Sequence, residues 1–272
     1  MPSFVTLFSI RTNKRVLLFN VIEPDQAEKI AMNSSIKKSS NKLLRYQQSS
    51  VANIFDKETQ LIKQIQADEL SQCLLLWQAK EATLVLPAGR KWLESEALIT
   101  GLLVDNWRLH SRKTGGAPVP QCPGIINLSH LYLWSSDTPY SIPQAYKNLC
   151  TVLHGFFRQF NLVSQTHATA FSYCDGDYNI NINGRKIVGT AQRVILKKGG
   201  GKIVLAQAFI LINVILAEIV KPVNLCYQLS DKTERVKAQV HTTLFEHITE
   251  RPTIDQLYQQ LTQAFVDSAL YP

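Results

Sequence analysis

The stretch NININGRKIV, residues 179–188, constrains the fold of this chain more than any other part of the sequence. It places Asn183 and Gly184 between two runs in which apolar and polar residues alternate, as they do in a strand with one buried face. Asn-Gly is the strongest short signal for a β-hairpin, because both central residues of the favoured tight turn need a positive φ. The sequence therefore predicts two antiparallel strands joined by a two-residue turn.

The same turn sets the register of the two strands. Asn181 then lies opposite Lys186, and Ile180 lies opposite Ile187. The two isoleucines cover the core face of the hairpin, while Lys186 shares the other face with Asn179 and Asn181. A lysine on a rigid strand beside polar groups is positioned for chemistry, whereas an ordinary solvated surface lysine is the simpler alternative.

Helical and strand-like segments follow one another along the rest of the chain without regular alternation. Helices are predicted over residues 94–103, from Ser141, and from Thr253, where Gln256 completes a capping box. An earlier helix is predicted to begin at Asp56 and to carry an apolar side formed by Leu61, Ile62, Ile65, Leu70, Cys73 and Leu74. Because hairpin signals occur and strict βαβ repeats do not, we expect an α+β fold with a mixed, largely antiparallel sheet packed with helices.

The first fifty residues differ in composition from the rest of the chain. They carry eight basic and three acidic side chains, a net charge of +5 out of +8 for the whole chain. FVTLFSI and RVLLFNVI predict a hairpin, and the SSIKKSSNKLLRYQQSS that follows is typical of a basic linker. We therefore expect an N-terminal extension over residues 1–50 and a catalytic domain over residues 51–272, with Met32 as a second candidate start of translation.

Composition and cysteine spacing limit the class of protein. A chain of 272 residues with 45% hydrophobic and 18% charged residues suits one large domain with a sizeable core. The basic charge is not accompanied by a zinc-finger spacing or a stacking aromatic motif, which argues against nucleic-acid binding. The five cysteines are irregularly spaced, predict neither a disulfide framework nor a metal site, and are typical of a reducing cytoplasm. The N-terminus lacks a signal-peptide pattern. The apolar run over residues 203–220 is interrupted by polar residues, so we predict a strand leading into a helix there, and no association with a membrane.

A second chemistry-bearing segment is SRKTGGAPVPQCPGIINLS, residues 111–129. Its paired glycines let backbone N–H groups approach a ligand closely, although the segment lacks the spacing of a phosphate-binding loop. Together with GRKIVGTAQR, this segment resembles the lipoate-attachment family of lipoate–protein ligases, octanoyltransferases and lipoyl amidotransferases. The resemblance extends over about residues 57–270, and its residues are Arg112, Thr114, Gly115, Gly116, Gly124, Asn127, Ser129 and Lys186.

The resemblance implies the fold of the biotin/lipoate ligase catalytic domain, in which the sheet walls a tunnel for an acyl chain. In such proteins the lysine that Lys186 matches contacts the acyl carbonyl or a phosphate. The resemblance further implies no metal ligand and a substrate-binding set made of Arg112, Thr114, Gly115, Gly116, Asn127, Gly189 and Thr190.

The segment SYCDGDY looks most like the cysteine-dependent amidotransferases of that family, which carry Tyr-Cys-x-Gly-x-Tyr ahead of the Asn-Gly turn. This resemblance makes Cys174 the catalytic nucleophile, with Lys186 beside it. A thiolate attacks well and leaves well, so a thioester allows an acyl group to move between carriers without ATP. A neighbouring ammonium favours the thiolate and stabilises the tetrahedral oxyanion. An inert cysteine is the alternative, and Gln121 stands where many family members carry a histidine, which leaves the general base unnamed.

These features together predict a protein-lipoylation enzyme, an acyltransferase that places an octanoyl or lipoyl group on a lysine of a carrier domain. The partners implied are lipoyl domains of 2-oxoacid dehydrogenases, the glycine-cleavage H protein and acyl carrier protein, with no cofactor beyond the transferred octanoate or lipoate. Two alternatives stay open. An ATP-dependent lipoate–protein ligase would need ATP and magnesium and act through lipoyl-AMP, whereas a non-catalytic acyl-binding or carrier-docking protein would keep the fold without turnover.

Overall fold

A computed structural model describes residues 6–11, 16–22, 40–87, 89, 91–134 and 136–270. In these residues the chain forms a nine-stranded sheet. Its strands in chain order are Thr6–Arg11 (β1), Val16–Ile22 (β2), Ser40–Ser49 (β3), Leu70–Ala79 (β4), Ile125–Trp134 (β8), Gln165–Thr166 (β9), Ile180–Ile182 (β10), Arg185–Leu196 (β11) and Lys202–Leu211 (β12). The spatial order is β1-β2-β3-β4-β8-β12-β11-β10-β9, and neighbours are antiparallel except β2–β3 and β3–β4, which are parallel. The predicted mixed, largely antiparallel sheet is confirmed.

A second, three-stranded sheet lies over part of the first. Its strands are Thr83–Leu86 (β5), Arg108–Ser111 (β6) and Val119–Gln121 (β7), in the order β6-β5-β7. The segment between β6 and β7 is the Gly-rich loop that the sequence singled out, so both ends of this loop are held by the small sheet.

Five helices of the described chain complete the fold. They are Val51–Gln66 (α1), Glu96–Val104 (α2), Ile142–Arg158 (α3), Leu216–Leu229 (α4) and Ile254–Asp267 (α5). The N-cap prediction at Ser141 is confirmed, because its hydroxyl accepts a hydrogen bond from the Gln144 N–H. The capping box of Thr253 and Gln256 is also formed, with both reciprocal hydrogen bonds present. The predicted strand and helix across residues 203–220 are observed as β12 and α4.

The prediction for the first helix is wrong at both ends. Its N-cap is Ser50, whose hydroxyl accepts from the Asn53 N–H at 3.2 Å, and not Asp56. The helix ends at Gln66, and Asp68 follows with a φ of 57°. The predicted continuation through Cys73 is strand β4 instead, because this apolar run is buried between β3 and β8, where a continuous apolar pattern fits a strand as well as a helix.

The predicted turn of the hairpin at residues 180–188 is confirmed, whereas part of the predicted strand pairing is wrong. Asn183 and Gly184 have φ values of 51° and 72°, and Asn181 pairs with Lys186 as predicted. Ile180, however, pairs with Val188 and not with Ile187, because an irregularity between Ile180 and Asn181 shifts the pairing.

The expected linker is wrong for residues 40–49. These residues form β3, and Leu43 and Leu44 are buried in the cores on the two faces of the sheet. Sheet pairing with β4 on one side and β2 on the other outweighs the polar composition of the segment. The backbone of β1 and β2 pairs antiparallel, as the predicted hairpin requires. Met32 lies outside the described residues, and the boundary at residue 50 stays a prediction.

The large sheet is packed on both faces. On one face, α3 and α5 bury a core that includes Phe156, Phe157 and Leu261. On the other face, α1 covers Leu75 and Trp77 of β4, and the small sheet packs with α2 and α4 beside it. None of the helices within the described ranges is long and apolar enough to cross a membrane.

Candidate active site

The site lies on the α1 face of the large sheet, where four strands share one register. Trp77 of β4 pairs with Asn127 of β8, Asn127 with Phe209 of β12, and Phe209 with Gly189 of β11. A Cβ at Gly189 would fall 2.0 Å from the Phe209 ring. Gly189 therefore lets the aromatic ring lie against β11, which is a packing reason for a residue predicted to bind substrate.

An internal cavity of about 40 Å³ lies on this floor. Its roof is formed by Phe55 of α1, Val85 of β5 and Val119 of β7, so that its centre is apolar. A cavity of this size holds about one water molecule. A medium-chain acyl group would enter it only if side chains of its lining moved.

A wider cleft of about 740 Å³ opens on the other side of Cys174. Cys174, Thr190 and Ala191 line both the cleft and the internal cavity, so they form the neck between the two. The predicted nucleophile therefore lies where the wide cleft meets the small, mostly apolar cavity.

The loop that carries Cys174 has an unusual backbone. Cys174 has a φ of 52°, a left-handed conformation that few residues other than glycine adopt. Asn179 holds this conformation, because its side-chain amide donates to the Cys174 carbonyl at 2.9 Å. Asp175 accepts from the Thr169 N–H at 2.6 Å and ties the two arms of the loop together. Such backbone strain is concentrated at functional sites, where the surroundings hold it.

Lys186 is close to Cys174, as predicted, but contacts its backbone. The fully buried Lys186 Nζ donates to the carbonyl oxygens of Tyr173 at 2.5 Å and Cys174 at 3.0 Å. It also lies over the rings of Tyr173 and Phe209, at 4.8 and 5.5 Å from their centroids. Burial lowers the pKa of Lys186 to about 8, against the opposing charges of Cys174 and Asp175. Lys186 does not belong to the lining of either cavity at Cys174.

The predicted Gly-rich loop is closed on itself by Arg112. Its Nη2 atom donates to the carbonyl oxygens of Gly115 at 3.0 Å and Ala117 at 3.1 Å. Gly115 and Gly116 line the wide cleft, and Gly116 has a φ of 114° that favours glycine. Thr114 points elsewhere, into a separate crevice of about 140 Å³ beside α1. The structure thus brings Arg112, Gly115 and Gly116 to Cys174 and leaves Thr114 out.

Asn127 and Thr190 both have defined polar partners. Asn127 exchanges two hydrogen bonds, at 2.8 and 2.9 Å, with Gln121, the residue that stands in the place of the family's histidine. Both side chains line the internal cavity. The Thr190 hydroxyl donates to the Tyr178 carbonyl at 2.8 Å, and its N–H donates to the Asn179 side chain. Thr190 therefore joins β11 to the loop that carries Cys174.

Three residues at the site were missed by sequence reasoning. Tyr146 and Tyr227 line the wide cleft, and burial together with the charge of Cys174 raises the pKa of each phenol to about 12. The third, Glu58, is buried on α1 in line with Ile54 and Leu61. Its position on the apolar side of an amphipathic helix could have identified it, because a carboxyl group buried there needs hydrogen-bond partners.

Glu58 finds those partners at the far side of the cavity. It accepts hydrogen bonds from the Ser129 hydroxyl at 2.6 Å and the Gln207 amide at 2.8 Å. Ser129 and Gln207 both line the internal cavity. Burial raises the pKa of Glu58 to about 7 from its ordinary value of 4.5, more than its hydrogen bonds and Arg193 lower it.

The raised pKa of Glu58 predicts a pH-dependent stability. The folded protein holds this proton more tightly than the unfolded chain, so the stabilisation is fully present below pH 4.5 and is lost as pH rises towards 7. Glu58→Gln keeps an acceptor for Ser129 and Gln207 without the charge. We expect the variant to be more stable than the wild type at pH 8 by on the order of 2 kcal/mol, with a much smaller difference at pH 5. Urea unfolding at pH 8 and at pH 5 measures this difference in the free energy of unfolding. The exposed Glu69→Gln is the control, and its free energy of unfolding should equal that of the wild type at both pH values. Equal stabilities of wild type and Glu58→Gln at pH 8 would contradict the prediction.

The chain is similar to known proteins in sequence and in fold. Residues 50–266 match the family model described as the lipoyl protein ligase A/B catalytic domain. The chain is 26% identical over 201 residues to octanoyl-[GcvH]:protein N-octanoyltransferase of Anoxybacillus flavithermus, which covers 68% of this chain and 67% of that protein. It is 31% identical over 108 residues to lipoyl-[GcvH]:protein N-lipoyltransferase of Listeria monocytogenes, covering 40% and 38% of the two proteins.

A solved structure of lipoate-protein ligase A bound with ATP superimposes with a TM-score of 0.67 at 14% identity, over 85% of each chain. This likeness confirms the predicted ligase-type fold. The chain spans less than half of the length of several curated relatives that it matches. The match of the family model over most of the sequence shows the family: the chain belongs to the lipoyl protein ligase A/B catalytic-domain family.

Proposed function

We propose that the protein moves an octanoyl or lipoyl group between carrier proteins through a thioester on Cys174. The observation that carries this proposal is the place of Cys174 at the neck between a small, mostly apolar cavity and a wide cleft. An acyl chain that displaced side chains of the cavity lining would present its carbonyl carbon to the sulfur. The cleft would admit the long side chain of a carrier lysine from outside.

The reaction consists of two balanced acyl transfers. In the first, the Cys174 thiolate attacks the acyl carbonyl of an octanoyl-lysine, a C–S bond forms, and the C–N bond breaks. The proton that the thiol released ends on the leaving amine. In the second, the neutral amine of the acceptor lysine attacks the thioester, a C–N bond forms, the C–S bond breaks, and the amine proton returns to the sulfur. The sum needs no ATP and no metal ion.

The cleft suits an acidic carrier. Lys91, Lys232 and Arg235 lie on its lining, together with Asp175 and Glu234. Complementary charge steers a partner and sets its orientation more than it adds affinity. We infer that the acceptors are lipoyl domains and the glycine-cleavage H protein, in line with the acyl-[GcvH] names of the curated relatives. In this proposal the protein acts in the cytoplasm.

Intact-mass measurement tests the thioester. The protein is incubated with octanoylated H protein, and separately with octanoyl acyl carrier protein, and its mass is recorded before and after hydroxylamine. We expect one hydroxylamine-labile octanoyl adduct, absent from Cys174→Ser. Cys122→Ser is the matched control and should keep the adduct, because burial raises the pKa of the Cys122 thiol to about 12 and leaves it unreactive.

Two other outcomes would overturn the proposal. Lipoyl transfer that requires ATP and magnesium and survives Cys174→Ser would make the protein a ligase. Octanoate binding without an adduct and without turnover from either donor would make it a non-catalytic acyl-binding protein.

A further inference from the structure

We propose that Arg112, and not Lys186, is the cation that pairs with the Cys174 thiolate and with the oxyanion that forms during acyl transfer. Lys186 is then a positioning residue that acts through the backbone of the Cys174 loop. This division of roles rests on the proposed thioester function. It differs from what the family resemblance implies, which places Lys186 directly at the acyl carbonyl.

Gly116 shows that Arg112 and the Cys174 sulfur face one another. A Cβ atom built on Gly116 would lie 3.1 Å from Arg112 Nη2 and 3.4 Å from Cys174 Sγ. The guanidinium and the sulfur therefore border the same small space, kept open because residue 116 has no side chain. The positive charge of Arg112 and the charge of Cys174 interact favourably.

Arg112 is held in place and keeps a free donor. Its Nη2 atom is fixed by the carbonyl oxygens of Gly115 and Ala117, the residues before and after Gly116. Its Nε atom is buried and has no hydrogen-bond partner in the part of the chain that the structure describes. A buried guanidinium donor without an acceptor is costly, and an anion beside it removes that cost. Arg112 also lines the internal cavity, where an acyl group would bind.

The charge of Arg112 is suited to this role. Burial lowers the pKa of Arg112, while the charge of Cys174 raises it. An arginine side chain remains protonated in proteins even so. Arg112 therefore supplies a permanent positive charge at a thiol that must lose its proton.

Lys186 is already engaged on the other side of the loop. Its Nζ donates to the carbonyl oxygens of Tyr173 and Cys174 and lies against the faces of Tyr173 and Phe209. It has no exposed surface and does not line the cavities at Cys174. These contacts fix the peptide units on either side of the Cys174 Cα and leave the sulfur to Arg112.

Arg112 stabilises the negative charge that is present at each step of thioester formation. The thiolate that remains when Cys174 loses its proton is paired with the guanidinium. When the C–S bond forms, the negative charge moves to the carbonyl oxygen, which accepts from the free Nε–H. When the C–N bond breaks, the carbonyl is restored, and the nitrogen takes up the proton that the thiol released, so that a neutral amine leaves.

The rate at which iodoacetamide alkylates Cys174, followed by peptide mass on the full chain, tests this pairing. The measurement needs no acyl donor, so it reports on the pairing even if the protein proves not to be a transferase. We expect Arg112→Gln to slow alkylation at pH 7 by about tenfold, because the thiolate is the reactive form and a neighbouring cation favours it. The rate should recover at pH 9.5, where a thiol ionises without help.

Three further variants separate pairing from loop disruption. Arg112→Lys keeps the positive charge without the planar guanidinium and should slow alkylation less than Arg112→Gln does. Lys113→Gln, an exposed neighbour, is the control and should alkylate like the wild type. In Lys186→Met, any change in the alkylation rate should be the same at pH 7 and pH 9.5, without recovery at the higher pH. The proposal is wrong if the pH-reversible loss appears in Lys186→Met, or if Arg112→Gln alkylates at the wild-type rate at pH 7.

Discussion

Cys174→Ala is expected to lower the rate of acyl transfer between carriers by on the order of 10⁴-fold, the usual cost of removing a nucleophile from an enzyme that forms a covalent intermediate. The fold should survive, because alanine carries the same Cβ at the φ of 52° and adds no new backbone strain. The hydrogen bonds of Lys186 and Asn179 to the residue 174 carbonyl do not involve the side chain and should remain. The rate is measured as octanoyl transfer from octanoylated H protein to an unmodified lipoyl domain.

Cys122→Ala is the matched control for this loss. Cys122 is the other partly buried cysteine, and it packs against the same hydrophobic cluster as Cys174. A transferase that works through Cys174 keeps most of its rate in this control. Turnover of Cys174→Ala within tenfold of the wild type would show that no thioester on this residue lies on the reaction path.

The second large effect is expected from Gly124→Ala, on stability. A Cβ at Gly124 would lie 2.2 Å from the backbone oxygen of Asn213, and the residue has a φ of 92°. Neither backbone can move easily, because the Gly124 carbonyl accepts from the N–H groups of both Ile212 and Asn213. We expect the free energy of unfolding to fall by about 4 kcal/mol, at the upper end of single-residue effects. The strain of an alanine at a positive φ and the clash with the Asn213 backbone both contribute to this loss.

Urea unfolding of the full chain measures this loss. Gly176→Ala is the control, because a Cβ there meets nothing within 4 Å and should change stability little. A loss from Gly124→Ala no larger than that of the control would mean that the contact with Asn213 is not rigid. The glycine that the family resemblance pointed to thus has a backbone reason, and it anchors the start of β8, which carries Asn127 to the cavity.

Local chemistry explains which elements could be predicted. The turn at Asn183 and Gly184 is decided by two residues that tolerate positive φ, and the caps at Ser141 and Thr253 by side chains that reach the nearest free N–H groups. Where the pattern was ambiguous, prediction failed. The apolar run around Cys73 fits a helix or a buried strand equally well, and only pairing with β3 and β8 decides between them.

The same division holds for the candidate site. The proximity of Cys174 and Lys186 could be predicted, because both belong to a short stretch of chain around one hairpin and match a family pattern. The partners of Glu58 could not, since Ser129 and Gln207 come from β8 and β12 and meet α1 only in the folded sheet. The position of Arg112 beside the space that the Cys174 sulfur borders likewise depends on how the small sheet is placed over the large one.

The hairpin turn, the caps at Ser141 and Thr253, the mixed fold class and the family were predictable, because each rests on neighbouring residues or on a pattern along the chain. The burial of Lys186 against the backbone of Cys174 and the position of Arg112 near its sulfur follow from long-range packing. A buried polar group is satisfied by whatever distant strands bring within hydrogen-bond distance, and that arrangement is set by packing of the whole sheet.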